Sequence, residues 1–127
     1  MPSPPSTSAR YLGLKALAGS LSVLAAMGAT PAGTLLALTL PNADRAFVEE
    51  FSEGFARLAQ QHHVALVGGD TTQGPLSVTV TVHGFAPPDR ALRRDGALVG
   101  DQVFVTGTLG DAAPALRCLD PREPHAA

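Results

Sequence analysis

The chain has no tryptophan, one tyrosine and one cysteine, Cys118, among its 127 residues. A single thiol can build neither a disulfide framework nor a Cys/His zinc site, so a reducing compartment, the cytoplasm, is the expected location. Nothing beside Cys118 marks it as a lowered-pKa nucleophile. Basic residues are also scarce. Nine Lys and Arg against eleven Asp and Glu leave a formal charge of −2, and no basic run is interleaved with aromatics, so nucleic acid is not an expected partner. His62, His63, His83 and His125 show no ligand spacing with Cys118 or with one another, and none is nominated as a catalyst. The Gly-x-x-x-x-Gly-Lys phosphate loop and the dinucleotide glycine fingerprint are both missing. So is a long apolar run. Ala16 to Ala29, behind Arg10 and Lys15, imitates a secretory leader, but its glycines and serines make it too weak for a membrane span, and no membrane partner is expected.

With 45% hydrophobic and only 16% charged residues, the chain can bury one core of ordinary size. Residues 1–10 are Pro/Ser-rich and are expected to be disordered, as is the aperiodic tail 119–127; a single domain is expected over 11–118. Tyr11 to Met27 reads as a mostly buried helix of small residues, packed closely through Gly and Ala and closed by Gly28. Thr34 to Leu40 reads as a short apolar strand. Asn42 or Asp44 can cap a second helix reaching about His62, with Phe47, Phe51, Phe55 and Leu58 on one face, burying against the sheet. Val64 to Val67 is a strand. In the next strand Leu76, Val78, Val80 and Val82 alternate with Ser77, Thr79, Thr81 and His83, which leaves an apolar face to be covered. Pro87-Pro88-Asp89 is a turn, Gln102 to Thr106 a further strand, and Asp111 starts a helix that ends near Pro121. This order predicts an α+β fold, a mixed or antiparallel sheet layer with helices on one face.

The run Leu66-Val67-Gly68-Gly69-Asp70-Thr71-Thr72-Gln73-Gly74-Pro75 carries the chemistry. It reads as a strand feeding a tight glycine turn. Two glycines let backbone approach a polyphosphate, and a lone Asp beside them can ligate Mg²⁺ while substrate oxygens and water complete the octahedron. The same Asp can instead cap its own loop amides. Thr71 and Thr72 can equally hold metal-bound water or satisfy turn amides. Asp111, after Gly107-Thr108-Leu109-Gly110, is better placed to cap a helix than to meet a phosphate.

Together with Leu24-Ala25-Ala26-Met27-Gly28-Ala29-Thr30-Pro31, Leu36-Ala37-Leu38-Thr39-Leu40-Pro41, Arg93-Arg94-x-Gly96-Ala97 and Val105-Thr106-Gly107-Thr108, the Gly-Gly-Asp-Thr-Thr-x-Gly-Pro run resembles the thiamine-monophosphate kinases from about Tyr11 to Cys118. That family shares a superfamily with aminoimidazole ribonucleotide synthetase, selenophosphate synthetase and a hydrogenase maturation factor. The resemblance implies an incomplete N-terminal domain of the aminoimidazole ribonucleotide synthetase type and a homodimer formed through its sheets. It implies ATP as phosphoryl donor, thiamine monophosphate as acceptor and Mg²⁺ as cofactor. Asp70 takes the place of a Mg²⁺-binding carboxylate, Gly69 that of a backbone contact to nucleotide phosphate, and Arg94, rather than Arg93, that of an ATP-binding guanidinium. No catalytic base and no contact to thiamine monophosphate is assigned.

Three departures accompany the resemblance. The family carries Asn-Leu-Ser-Asp, whose Asp bridges Mg²⁺ ions, where this chain has Ser20-Leu21-Ser22-Val23, so the bridging carboxylate is replaced by Val23. Valine offers no oxygen, and metal stabilisation of phosphoryl transfer is worth several kcal/mol, so the loss implies about a hundredfold or more in rate. The family's early Asp-Asp-Ala and Thr-Thr-Asp segments are expected to have no counterpart before residue 11, and its C-terminal domain is expected to be absent from this chain. A kinase fragment of impaired activity is the leading expectation. The alternatives are a non-catalytic dimerising module or degenerate copy, and another ATP-using member of the superfamily.

Overall fold

The computed structural model describes residues 7–105, 107–111 and 114–115. Ser8 opens the first helix, its hydroxyl accepting the Tyr11 amide at 3.3 Å, and α1 runs Ala9–Ala26. The helix therefore takes in the end of the segment expected to be disordered. Gly28 follows it with φ 69°, the left-handed conformation that glycine reaches without a Cβ penalty. β1 is Thr30–Leu40, and Pro31 lies ahead of Gly33, where its pairing with β2 begins, so no bond to β2 is lost to the missing N–H. Of the two candidate caps, Asp44 is the one used. Its Oδ1 accepts the Phe47 amide at 3.1 Å and starts α2, Arg45–Gln61. β2, Ala65–Gln73, and β3, Ser77–Phe85, complete a sheet of order β2-β1-β3, with β2 parallel and β3 antiparallel to the central β1. The parallel pair needs a crossover, which α2 supplies.

The two helices meet almost backbone to backbone. A Cβ on Gly13 would stand 2.0 Å from the Phe51 carbonyl oxygen, and one on Gly54 would stand 1.9 Å from that of Arg10. This reciprocal contact lets Phe51, fully buried, and Phe55 reach into a cluster with Leu17 and Leu21 of α1 and Leu38 and Leu40 of β1. The phenylalanines stack along α2, with centroids 6.1 Å apart for Phe47–Phe51 and 6.3 Å for Phe51–Phe55. Leu58 and Phe47 are half-buried at the margin. Thr34 is the one buried polar residue among those described, and its hydroxyl donates to the Thr81 carbonyl at 3.1 Å, so its burial leaves no unpaired group. An exposed Arg10–Glu53 ion pair of 2.6 Å spans the same helix crossing; such pairs contribute only about 0–1 kcal/mol, so the glycine contact dominates.

Several expectations are corrected. The Gly-Gly-Asp run is not a turn: β2 continues through it to Gln73, because Leu35 to Leu40 of β1 pair with Gly68 to Gln73. Ladder pairing overrides the local tendency of adjacent glycines to break a strand. The ladder instead absorbs one extra residue, Val67, as a bulge opposite Thr34 and Leu35. The apolar side of β3 does not await a partner, since Val78, Val80 and Val82 pack against the core; its uncovered side carries Ser77, Thr79, Thr81 and His83. Residues 102–105 form no strand. Val103 and Phe104 are 93% and 82% exposed, and no described strand lies alongside to accept their backbone bonds. Thr106, most of the helix expected after Asp111, Cys118, His125 and the tail lie outside the described residues. Pro87 to Arg90 do turn, with the Arg90 amide donating to the Pro87 carbonyl at 3.1 Å. Among the described residues no helix is long and apolar enough to cross a membrane.

The helix crossing yields a paired stability prediction. Gly54→Ala gains helix propensity but overpacks against Arg10 and should lower unfolding free energy by about 1–3 kcal/mol. Gly19→Ala, where a Cβ meets nothing within 4 Å, should raise it by about 0.8 kcal/mol. Urea titrations of both variants check the contrast, and equal stabilisation would contradict it. Removing the α2 cap by Asp44→Ala should cost about 1 kcal/mol in the same assay, against no change if the cap were idle.

Candidate functional site

Asp70 and Gly69 sit on the outer strand β2, placed there by the ladder with β1. Gly69 lies opposite Leu36, with φ 153°, and a Cβ on it would stand 1.8 Å from the Leu36 carbonyl oxygen. No side chain fits there, so the backbone of this segment is bare toward any ligand. Asp70 pairs with Ala37, which puts it on the sheet face away from the helices. Its Oδ1 accepts the Thr71 amide at 2.8 Å, and among the described residues Oδ2 has no protein partner. The carboxylate is exposed. Part of it caps its own strand and part is free. Thr72 is exposed beside it on the same face, and its hydroxyl is hydrogen-bonded to that of Thr39 at 3.0 Å.

Leu36 and residues 66–71 line an open depression of about 500 Å³ that includes Gly69 and Asp70. Leu36 and Leu66 also wall a neighbouring hollow of about 280 Å³ between α2 and β2, with Phe55, Ala56, Ala59 and Val64. A polar cradle and an apolar hollow thus adjoin across two shared leucines. Sequence reasoning did not find the hollow, because it requires Leu66 on β2 and Phe55 on α2 to face one another, a pairing fixed only by the crossover.

Arg94 is elsewhere. It lines a second depression of about 500 Å³, together with Ser22, Val23, Ala26 and Met27 of the α1 end and with Leu92, Arg93 and Asp95. The segment is tied down where the Leu92 amide donates to the Met27 carbonyl at 3.0 Å. Arg93 donates from Nε and Nη2 to the two Asp95 carboxylate oxygens, both at 2.8 Å. That guanidinium, aided by the backbone amide of Asp95, holds the Asp95 carboxyl below the usual carboxylate range, and Asp95 raises Arg93 in return. The pair neutralises itself. Arg94 makes no ion pair among the described residues and is the better candidate of the two for an external anion. The structure therefore places Arg94 with Val23 in one depression and Asp70 in another, and no residue lines both. Thr108 donates to Asp111, an exposed local bond.

The donor set at Asp70 fits one Mg²⁺ shared with phosphate, since this ion is commonly held by one or two carboxylates plus substrate oxygens. It does not fit a multi-metal cluster: among the described residues no three His, Cys, Asp or Glu come together. The Val23 depression fits no metal, because its only carboxylate is already chelated by Arg93.

Residues 1–86 match the family described as AIR synthase related protein, N-terminal domain. Over 111 residues the chain is 54% identical to the thiamine-monophosphate kinase of Escherichia coli (strain K12), an alignment covering 87% of this chain and 34% of that protein. Among solved structures, the thiamine-monophosphate kinase from Stenotrophomonas maltophilia K279a superposes with a TM-score of 0.85 at 56% identity, over 91% of this chain and 36% of that one. A structure of AaThiL complexed with AMPPCP and TMP gives 0.83 at 34% identity, over 90% and 37%. The chain spans about a third of the length of these relatives. With the matched β1, α2, β2 and β3 arranged as described, the chain belongs to the AIR synthase related proteins, as their N-terminal domain.

Proposed function

We propose that the chain is part of an ATP- and Mg²⁺-dependent kinase that phosphorylates thiamine monophosphate to the diphosphate. The observation that carries this reading is the 54% identity to a thiamine-monophosphate kinase across 87% of the chain. The relative complexed with AMPPCP and TMP supports a nucleotide and a phosphate ester as the two ligands. In this reading the bare backbone at Gly69 approaches the ATP phosphates, and the free oxygen of Asp70 takes one Mg²⁺ coordination position. The apolar hollow beside Leu36 and Leu66 receives the base, excluding water from one of its faces. Arg94 supplies a guanidinium to phosphate oxygens from its own depression. Bound Mg²⁺ would neutralise charge on the transferring phosphoryl group. The chain's own contribution is to position, and a cytoplasmic location accords with the single thiol.

A second reading is a non-catalytic dimerising module. Its support is that both outer strands, β2 and β3, present edges unpaired among the described residues, beside a broad polar face. Pairing between two copies through these edges also accommodates the homodimer expected of the kinase, so the two readings differ in turnover and not in assembly.

Supplied with ATP, Mg²⁺ and thiamine monophosphate, this chain should form little or no thiamine diphosphate, because Asp70 is the only carboxylate its nucleotide depression offers. Robust turnover in a coupled assay would overturn that expectation. When the chain replaces the corresponding part of a complete relative, Val23→Asp should raise phosphoryl transfer by about a hundredfold and Asp70→Ala should abolish it. No response to Asp70→Ala would remove the metal role assigned to it.

A further inference from the structure

We infer that residues 102–105 are a donor strand that pairs with the free edge of β2 in a second copy of the chain and seats Phe104 in the hollow between α2 and β2. The inference stands apart from the kinase reading, and a seated Phe104 would exclude a nucleotide base from that hollow. Its first half is the segment. Val103, Phe104 and Val105 are 93%, 82% and 58% exposed, a run of β-branched and aromatic residues that no described strand pairs. A closed turn presents it. The Leu98 amide donates to Asp101 Oδ2 at 2.8 Å, the Asp101 amide donates to the Leu98 carbonyl at 3.1 Å, and Gly100 takes a positive φ of 105° between them.

The second half is the edge of β2. All nine of its residues are exposed, its outer backbone groups pair with no described strand, and the bare Gly68-Gly69 backbone lets another strand approach closely. Beside that edge, Leu36, Phe55, Ala56, Ala59, Val64 and Leu66 wall the hollow. At about 280 Å³ it stands at the lower limit of small-molecule pockets and suits one aromatic ring. Side chains alternate along a strand, so a strand laid on β2 with Phe104 toward α2 turns Val103 and Val105 to the other face, where Val67 is 66% exposed. A single chain leaves both halves unengaged, and two copies can exchange strands about a twofold axis. The three donor side chains bring on the order of 400 Å². With as much again from the acceptor, two reciprocal contacts bury on the order of 1,600 Å², the size of a standard stable interface. This exchange differs from pairing two sheets edge to edge, because the donor comes from outside the sheet.

The test is sedimentation velocity of the 127-residue chain over a range of concentrations, with two variants. The unmodified chain should form a reversible dimer. Phe104→Asp removes the donor ring and Ala56→Trp fills the hollow from its own helix; each should raise the dimer Kd about a hundredfold or more, as loss of a central aromatic anchor does. Both positions are exposed, and the amide shifts of Leu38 and Phe51, deep in the core, report whether each variant is folded. Complementation is the sharper readout. When ¹⁵N-labelled Phe104→Asp, which keeps its acceptor, is mixed with unlabelled Ala56→Trp, which keeps its donor, the amides of residues 64–70 should shift. A monomer at every concentration, or a mixture that leaves residues 64–70 unshifted, would overturn the inference. So would a dimer that survives both variants, which would instead be the sheets pairing edge to edge.

Discussion

Everything in this domain hangs on two helices touching without side chains between them. Gly13 faces the Phe51 carbonyl and Gly54 faces the Arg10 carbonyl, each too close for a Cβ. Because the axes approach so nearly, a single layer of Phe51, Phe55, Leu17 and Leu21 fills the space between both helices and β1. A wider crossing would need a second layer, which a chain with five phenylalanines and no tryptophan is poorly supplied to build. The absence of tryptophan and the glycine contact are two sides of one packing solution.

The two depressions follow from that scaffold. α2, held by α1, carries the chain from β1 to the parallel β2, and this fixes Gly69 against the Leu36 carbonyl and Asp70 on the outer face. The far end of α1 stops at Gly28 and exposes Val23, Ala26 and Met27, over which Leu92 folds back. One site is a bare backbone with a carboxylate, and the other is an apolar floor with a guanidinium.

Much of this was legible in the residues. The Phe47, Phe51, Phe55 and Leu58 spacing set α2 and its buried face, Asp44 was one of two candidate caps, and the alternation from Leu76 to His83 marked β3. The close Gly/Ala packing of α1 was also readable, although which glycines touch was not, since Gly13 is pressed against α2 and Gly19 meets nothing. The misreadings have a common origin in non-local pairing. Gly68-Gly69-Asp70 looked like a turn because adjacent glycines usually break strands, and only the β1 ladder holds it extended. Val103 and Phe104 looked like a strand on local propensity, yet no described neighbour pairs with them. The chemistry at Asp70 and Arg94 was visible from residue type and motif. Their placement in separate depressions was not, because it depends on the β1–β2 ladder, which sets Asp70 opposite Ala37, well along β1 from the α1 end.

The central claim is the backbone contact at the helix crossing, and through-space NMR tests it most directly. Cross-peaks between the Gly13 α-protons and the Phe55 amide, and between the Gly54 α-protons and the backbone of Arg10, should be strong in the isolated chain. Their absence in a folded sample, with helices α1 and α2 both formed, would contradict the account.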